Sequence, residues 1–233
     1  MKFAAVSMLA VLLLQADLAG QELRASFTAG VGTYRMQSLK TYIEIINESL
    51  PFSPELVDAF PPSLWYSAEV AVIRGDFSWG LAVSYNSTGS RVSLKDYSGE
   101  YLSDRMLSSI SPGFTAGYLL PPLAERITLT PGAMLGVTFS TMKVDETLVA
   151  DEEYIDDYHE DFGAFGLYGG PSLRLAWAVT SAVSLELQTG YILTYGIARF
   201  KPKKERASWS GSYEIHPDWN GLRCGLSLCI AIR

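Results

Sequence analysis

The sequence predicts an all-β fold: an eight-stranded antiparallel up-and-down β-barrel that spans a membrane, with a short amphipathic helix in its first external loop. Three observations support this prediction. Large apolar residues alternate with small or polar ones, the alternating segments are longer than soluble strands, and their connections are short at one end and long at the other.

Composition limits the classes of protein to which the chain can belong. It has 233 residues, which suits one domain, a formal net charge of -7, and 18% charged residues. This acidic balance disfavours a nucleic-acid partner, since phosphate binding needs an excess of Lys and Arg.

The apolar runs are shorter than the roughly 18–20 residues of a membrane helix. Cys224 and Cys229 fall on opposite faces of one strand, so we expect no disulfide between them.

The first twenty residues are typical of a cleaved secretory signal. Lys2 precedes an apolar stretch from Phe3 to Leu14, and small residues follow up to Gly20. We therefore expect Met1–Gly20 to be a signal peptide and residues 21–233 to form the barrel domain.

Period-two alternation defines the strands of the remaining chain. From Ile127 to Phe139 one face is almost entirely large and apolar, while the other consists of Gly, Thr and Met. The same reading elsewhere gives eight candidate strands: about 22–35, 63–74, 77–95, 100–120, 126–144, 161–179, 183–200 and 213–232.

The connections divide into two sets. Short ones lie near Gly75-Asp76, at 121–125 and at 180–182, and we place these in the periplasm. Longer ones at 36–62, 144–160 and 201–212 are expected outside the cell, together with a tight turn near Tyr97-Ser98-Gly99.

The composition of the two faces predicts which one meets lipid. The small and polar face lacks the Lys and Glu that solvate a surface strand, and it suits the narrow bore of an eight-stranded barrel. The apolar face then points to lipid. Parity places five charged residues in the bore, where they must pair: Arg24, Glu69, Arg174, Glu186 and Arg223. With Gln188 and Tyr34 they could form a network that plugs the lumen, or a gated conduction path.

Outward aromatic residues form two predicted belts. Trp79, Tyr118 and Trp177 fall near the periplasmic strand ends, and Tyr85, Phe139 and Tyr195 near the external ends. In this architecture the chain resembles the small outer-membrane β-barrel proteins of the OmpA/OmpX type. The resemblance implies location in the outer membrane of a Gram-negative bacterium.

The first long connection contains an amphipathic helix. Met36, Leu39, Ile43, Ile46 and Leu50 recur at spacings of three and four, and Pro51 ends the pattern. We expect this helix to cover the barrel mouth; the alternative is that it gates or lines a site for an apolar ligand or an acyl chain. Ser53-Pro54-Glu55 predicts a second, short helical turn.

Two other external connections carry opposite charge. Residues 145–161 are strongly acidic, and Lys201, Lys203, Lys204 and Arg206 make the last loop basic. We expect the loops to pair with each other, or the basic one to contact lipopolysaccharide phosphates. The acidic residues lack the spacing of a calcium loop, and we expect no metal or cofactor.

These features predict a monomeric, non-enzymatic envelope protein that contacts outer-membrane lipid and interacts through its external loops with an unidentified protein or ligand. One alternative is a lipid acyl hydrolase that uses His159 or His216 with a Ser and a carboxylate. Others are a small gated channel, a carrier of an apolar ligand, and a soluble lipocalin-like carrier whose large side chains point inward.

Overall fold

The computed structural model describes residues 21–49, 55–96, 99–150, 153–202 and 215–232. Residues 1–20 lie outside these ranges, so the signal peptide stays a prediction. Within them the chain forms one helix, α1 (Gln37–Ser49), and the following strands: β1 (Gln21–Gly32), β2 (Glu55–Ala59), β3 (Ser63–Arg74), β4 (Phe77–Asp96), β5 (Gly99–Tyr118), β6 (Ile127–Ala150), β7 (Glu153–Ala178), β8 (Val183–Tyr195), β9 (Lys201–Pro202) and β10 (Gly221–Ile232).

Eight of these strands close into a ring. In order around the barrel they are β1, β3, β4, β5, β6, β7, β8 and β10, each antiparallel to its neighbours, and β10 pairs back onto β1. Because sequential ring strands are also spatial neighbours, the barrel is of the up-and-down kind, as predicted. In the described part of the chain, α1 is too short to span a membrane, and no other helix could do so.

The outward face carries the large apolar side chains. Along β10, exposed Leu222 and Leu226 alternate with buried Arg223 and Ser227. Leu135, in the middle of β6, is 64% exposed. Exposed apolar residues at this density face lipid, because a soluble barrel would bury them.

The aromatic residues predicted for the two belts all lie on this outward face. Trp79, Tyr118 and Trp177 are exposed near the short-turn end, and Tyr85, Phe139 and Tyr195 are exposed near the other end. Ring contacts join neighbouring strands within each belt: Phe77 meets Tyr118 at 5.1 Å, and Phe139 meets Phe165 at 5.4 Å between ring centroids.

The predicted loop at 144–160 is wrong for most of its length. β6 continues to Ala150 and β7 begins at Glu153, so only Asp151 and Glu152 separate them. The acidic residues can lie in paired strands because some of them face basic residues across the β6–β7 ladder. His159 lies opposite Asp145, and Lys143 lies opposite Asp161.

The first external connection also differs from its prediction. Glu55–Ala59 is a strand paired with residues 90–93 of β4, whereas a helical turn was predicted there; Ser53 and Pro54 lie outside the described residues. The strand forms there because one edge of β4 would otherwise be unpaired. β3 pairs with β4 only as far as Asn86, so the backbone groups of β4 beyond that point need another partner, which β2 supplies.

The last external connection is longer than predicted. β8 ends at Tyr195, because Gly196 adopts a positive φ of 55°, and β10 begins only at Gly221. As a result the barrel has a low wall made by β8, β10, β1 and β3, and a tall wall made by β4 to β7. We call the part of the tall wall beyond Tyr85, Ile110, Phe139 and Phe165 the external sheet.

Candidate functional site

The five charged residues predicted for the bore all point into it. Their strands place them there by parity, and Glu69, Arg174, Glu186 and Arg223 are each at most 9% exposed. Arg24 lies nearer than the other four to the short-turn end of the barrel, close to the start of β1.

Four of the five form two separate ion pairs. Arg24 pairs with Glu186 and also donates to the Ser184 hydroxyl at 2.6 Å. Arg174 pairs with Glu69 at 3.0 Å, and the Thr115 hydroxyl donates to Glu69 at 2.8 Å. Because β3 and β7 are four strands apart in a ring of eight, the Glu69–Arg174 pair crosses the full width of the bore.

Arg223 has different surroundings. Its guanidinium carbon lies 5.7 Å from the centre of the Tyr34 ring and 5.6 Å from that of the Trp65 ring. Among the described residues Arg223 is in no ion pair, and its polar neighbours include the Tyr34 hydroxyl and the Ser84 hydroxyl, the latter 3.5 Å from Nη1. Of the two polar residues expected to assist the network, Tyr34 lies against Arg223 and donates to Asn86 at 2.7 Å. Gln188 lines the same cavity as Arg223 and accepts from Thr28 at 3.2 Å.

Packing of large side chains against glycine narrows the bore further. A Cβ at Gly113 would lie 2.3 Å from the Tyr168 hydroxyl, and one at Gly136 would lie 2.7 Å from the Tyr168 ring. Glycine at these two positions therefore makes room for the Tyr168 ring inside the barrel. A cavity of about 30 Å³ remains, lined by Trp65, Glu69, Ser84, Tyr168, Gln188 and Arg223 among others.

A second, larger cavity opens at the short-turn end. Its volume is about 240 Å³, and Glu22, Arg24, Glu125 and Arg126 contribute charged groups to its wall. The Arg24–Glu186 pair lies at the inner limit of this vestibule, between it and the narrow part of the bore.

The helix α1 packs into the external half of the bore. Leu39 and Ile43 are fully buried, Ile46 is half-buried, and Leu50 lies outside the described residues. The helix packs on inward side chains of the external sheet and on the segment before β10, which together form an apolar layer: Tyr34, Met36, Leu39, Ile43, Phe60, Val92, Leu107, Met142, Val144, Phe162, Ile215 and Trp219. The Trp219 indole donates to the Ser140 hydroxyl at 2.9 Å and so joins the segment before β10 to β6.

Sequence reasoning missed two further inward charges, Arg105 and Glu146, which form an ion pair. Arg105 is 3% exposed, and its Nη2 donates to Glu146 at 2.9 Å; Ser103 donates to the same carboxylate oxygen at 2.9 Å. Tyr42 of α1 and Tyr101 of β5 lie nearby, and burial raises the pKa of both hydroxyls. Arg105 has the same parity as inward Leu107, so parity alone would have found it.

The outer face of the external sheet carries paired charges. Arg91 donates to both oxygens of Asp104 at 2.6 Å, and His159 Nδ1 lies 2.6 Å from Asp145. Asp104 and Asp145 are direct cross-strand partners, so Arg91 and His159 flank two adjacent carboxylates. Lys201 lies beside Gly163 of β7, while Lys203, Lys204 and Arg206 lie outside the described residues.

The two histidines have unlike positions. His159 is exposed on the outer face of the external sheet, whereas His216 lies beside the start of α1, where its backbone N–H donates to Ser38 at 3.2 Å. Across the described ranges, no three His, Cys, Asp or Glu side chains are grouped closely enough to hold a metal ion.

A closed eight-stranded antiparallel barrel with an outward apolar band and two aromatic belts defines an integral outer-membrane β-barrel protein. The outward position of the large apolar residues excludes the soluble, lipocalin-like alternative.

Solved structures of outer-membrane proteins resemble this chain to different degrees. The chain is similar to a major outer membrane protein from Thermus thermophilus, with a TM-score of 0.55 at 12% identity over 91% of this chain and 99% of that one. Neisserial surface protein A gives a TM-score of 0.38 at 12% identity, covering 91% and 97% of the two chains. The Yersinia pestis attachment invasion locus protein Ail, solved with the heparin analogue sucrose octasulfate, gives 0.37 at 12% identity, covering 91% and 96%. No protein-family model and no curated protein sequence matches the chain.

Proposed function

We propose that the protein is a monomeric outer-membrane barrel with a closed lumen that acts, without catalysis, through its external sheet. The observation that carries this proposal is the filling of the bore at two levels. The Glu69–Arg174 pair crosses the narrow part, and the apolar layer around α1 occupies the external part. A lumen filled in this way leaves the external surface as the part of the protein available to a partner.

The test of closure is electrical recording from the purified chain in planar bilayers. We expect no stepwise conductance, because ions would have to cross a water-poor apolar layer about one helix thick. The gated-channel alternative makes the opposite prediction: uniform steps in the native protein that change in size or disappear in Arg174→Met. A bilayer that receives detergent alone is the control for leakage. Uniform steps that need the native chain would contradict the closed lumen.

The external partner would carry a basic surface. Residues 145–161 contain nine Asp or Glu residues and one histidine, so this segment of the sequence carries a strong formal negative charge, of which Glu146 is paired with Arg105. Complementary charge speeds association and selects partners. The lipid contact follows from the same geometry: Lys201 is exposed beside β7, close to Phe165 of the external aromatic belt, where lipopolysaccharide phosphates would lie.

Acyl hydrolysis is a second candidate, because His159 Nδ1 lies 2.6 Å from the Asp145 carboxylate, as a catalytic base lies beside the carboxylate that orients it. Both side chains are about half exposed or more, at 49% and 63%, on a water-facing sheet surface. We propose that the pair compensates charge between β6 and β7. Purified protein incubated with phospholipid micelles should release no fatty acid above the rate of His159→Gln. Release by the native chain that His159→Gln abolishes would instead establish the hydrolase.

A further inference from the structure

The charged groups inside the narrow bore do not balance. Arg24 and Arg174 each have a carboxylate partner, in Glu186 and Glu69. Arg223 is 5% exposed and has none among the described residues. A lone buried cation in a lipid-surrounded barrel is costly, so some group must compensate it.

The side chains around Arg223 compensate only part of this charge. Tyr34 and Trp65 offer the faces of their rings, and the Tyr34 hydroxyl is a polar neighbour as well, but together they accept few of the five guanidinium N–H groups. The Ser84 contact is long at 3.5 Å, and Nε has no hydrogen-bond partner in the described part of the chain. At least one buried donor of this guanidinium is therefore left for a ligand.

The cavity beside Arg223 has the size and lining for such a ligand. Its volume of about 30 Å³ exceeds the roughly 10–15 Å³ that one water needs, so a small anion fits. Ser84, Tyr168 and Gln188 contribute groups that can donate hydrogen bonds into it. Glu69 also lines the cavity, but its Oε1 is already held by Arg174 and Thr115.

We propose that this cavity binds one monatomic anion, a chloride ion, between the Arg223 guanidinium and the donors around it. The anion restores charge balance in the bore and accepts the hydrogen bonds that the rings cannot. Water would accept a hydrogen bond but would leave the positive charge in place, so the geometry favours the anion.

Bromide replacement tests the site directly. Crystals of the native protein grown in sodium bromide should show one anomalous peak inside the cavity, in contact with the Arg223 guanidinium. The same crystals of Arg223→Met should lack that peak and keep any peaks on the exterior. Native density in the cavity without anomalous signal would mean water and would overturn the proposal.

A solution measurement covers the case in which Arg223→Met does not fold. The melting temperature of the native protein should be higher in sodium chloride or bromide than in sodium gluconate at equal ionic strength, by on the order of 5 °C. Arg91→Met, which removes an exposed charge of the external sheet, should keep this dependence on the anion. A native melting temperature that is the same in all three salts would overturn the proposal.

Discussion

Replacing Leu39 by alanine is expected to loosen the external half of the barrel by about 2–4 kcal/mol, which is the usual cost of a large-to-small substitution in a packed core. Leu39 is fully buried in the apolar layer, in contact with inward residues of the external sheet. The loss should be local, since the membrane-spanning ladders do not depend on α1. Backbone amides of α1 should therefore exchange with deuterium about 30- to 1,000-fold faster than in the native protein.

Glu44→Ala is the matched control for this change. Glu44 lies on the exposed face of the same helix, one residue after buried Ile43, so its replacement removes no packing. We expect the exchange rates of α1 to stay within about threefold of native values, as for surface substitutions of less than about 0.5 kcal/mol. Equal acceleration by Leu39→Ala and Glu44→Ala would show that the helix does not depend on burial of its apolar face.

Breaking the ion pair that crosses the bore should have the second large effect. In Arg174→Met the Glu69 carboxylate stays buried without its cation, and such a change costs about 3–5 kcal/mol. Glu69→Leu should cost a similar amount for the converse reason. The double variant Glu69→Leu/Arg174→Met leaves no unpaired charge, so we expect it to recover most of the lost stability. Urea unfolding in lipid vesicles measures all three.

The exposed ion pair Arg91–Asp104 is the control for the buried Glu69–Arg174 pair. Its geometry is bidentate at 2.6 Å, but Arg91 is 54% exposed, and exposed pairs contribute about 0–1 kcal/mol. Arg91→Met should accordingly unfold within about 1 kcal/mol of the native chain. Additive losses in the Glu69 and Arg174 double variant would show that the two side chains do not stabilise each other.

The barrel could be predicted from the sequence because one physical rule fixes most of it. Period-two alternation assigns each side chain to a face, and in β10 the alternation of exposed Leu222 with buried Arg223 follows that rule without exception from Gly221 to Ile230. The external sheet could not be predicted in the same way. Its acidic composition indicated a solvated loop, whereas Val144 and Phe162 turn inward there and join the apolar layer.

The inward charges could also be predicted only in part. Parity placed Glu69 and Arg174 in the bore, but it carries no information about partners. Which carboxylate meets which guanidinium depends on the stagger of strands around the ring, because β3 and β7 are not neighbours. The position of Arg223 between two rings likewise depends on Tyr34, which lies beyond the end of β1.

The pair between Glu69 and Arg174 also bears on how the protein assembles. A hairpin such as β4–β5 forms from residues close in sequence, but these two side chains can meet only after strands from both halves of the chain have come around to face each other. We therefore expect this contact to form late in folding, after the local hairpins. Spectroscopic probes attached near the two residues would report when the cylinder has shut, independently of when its first hairpins enter the bilayer.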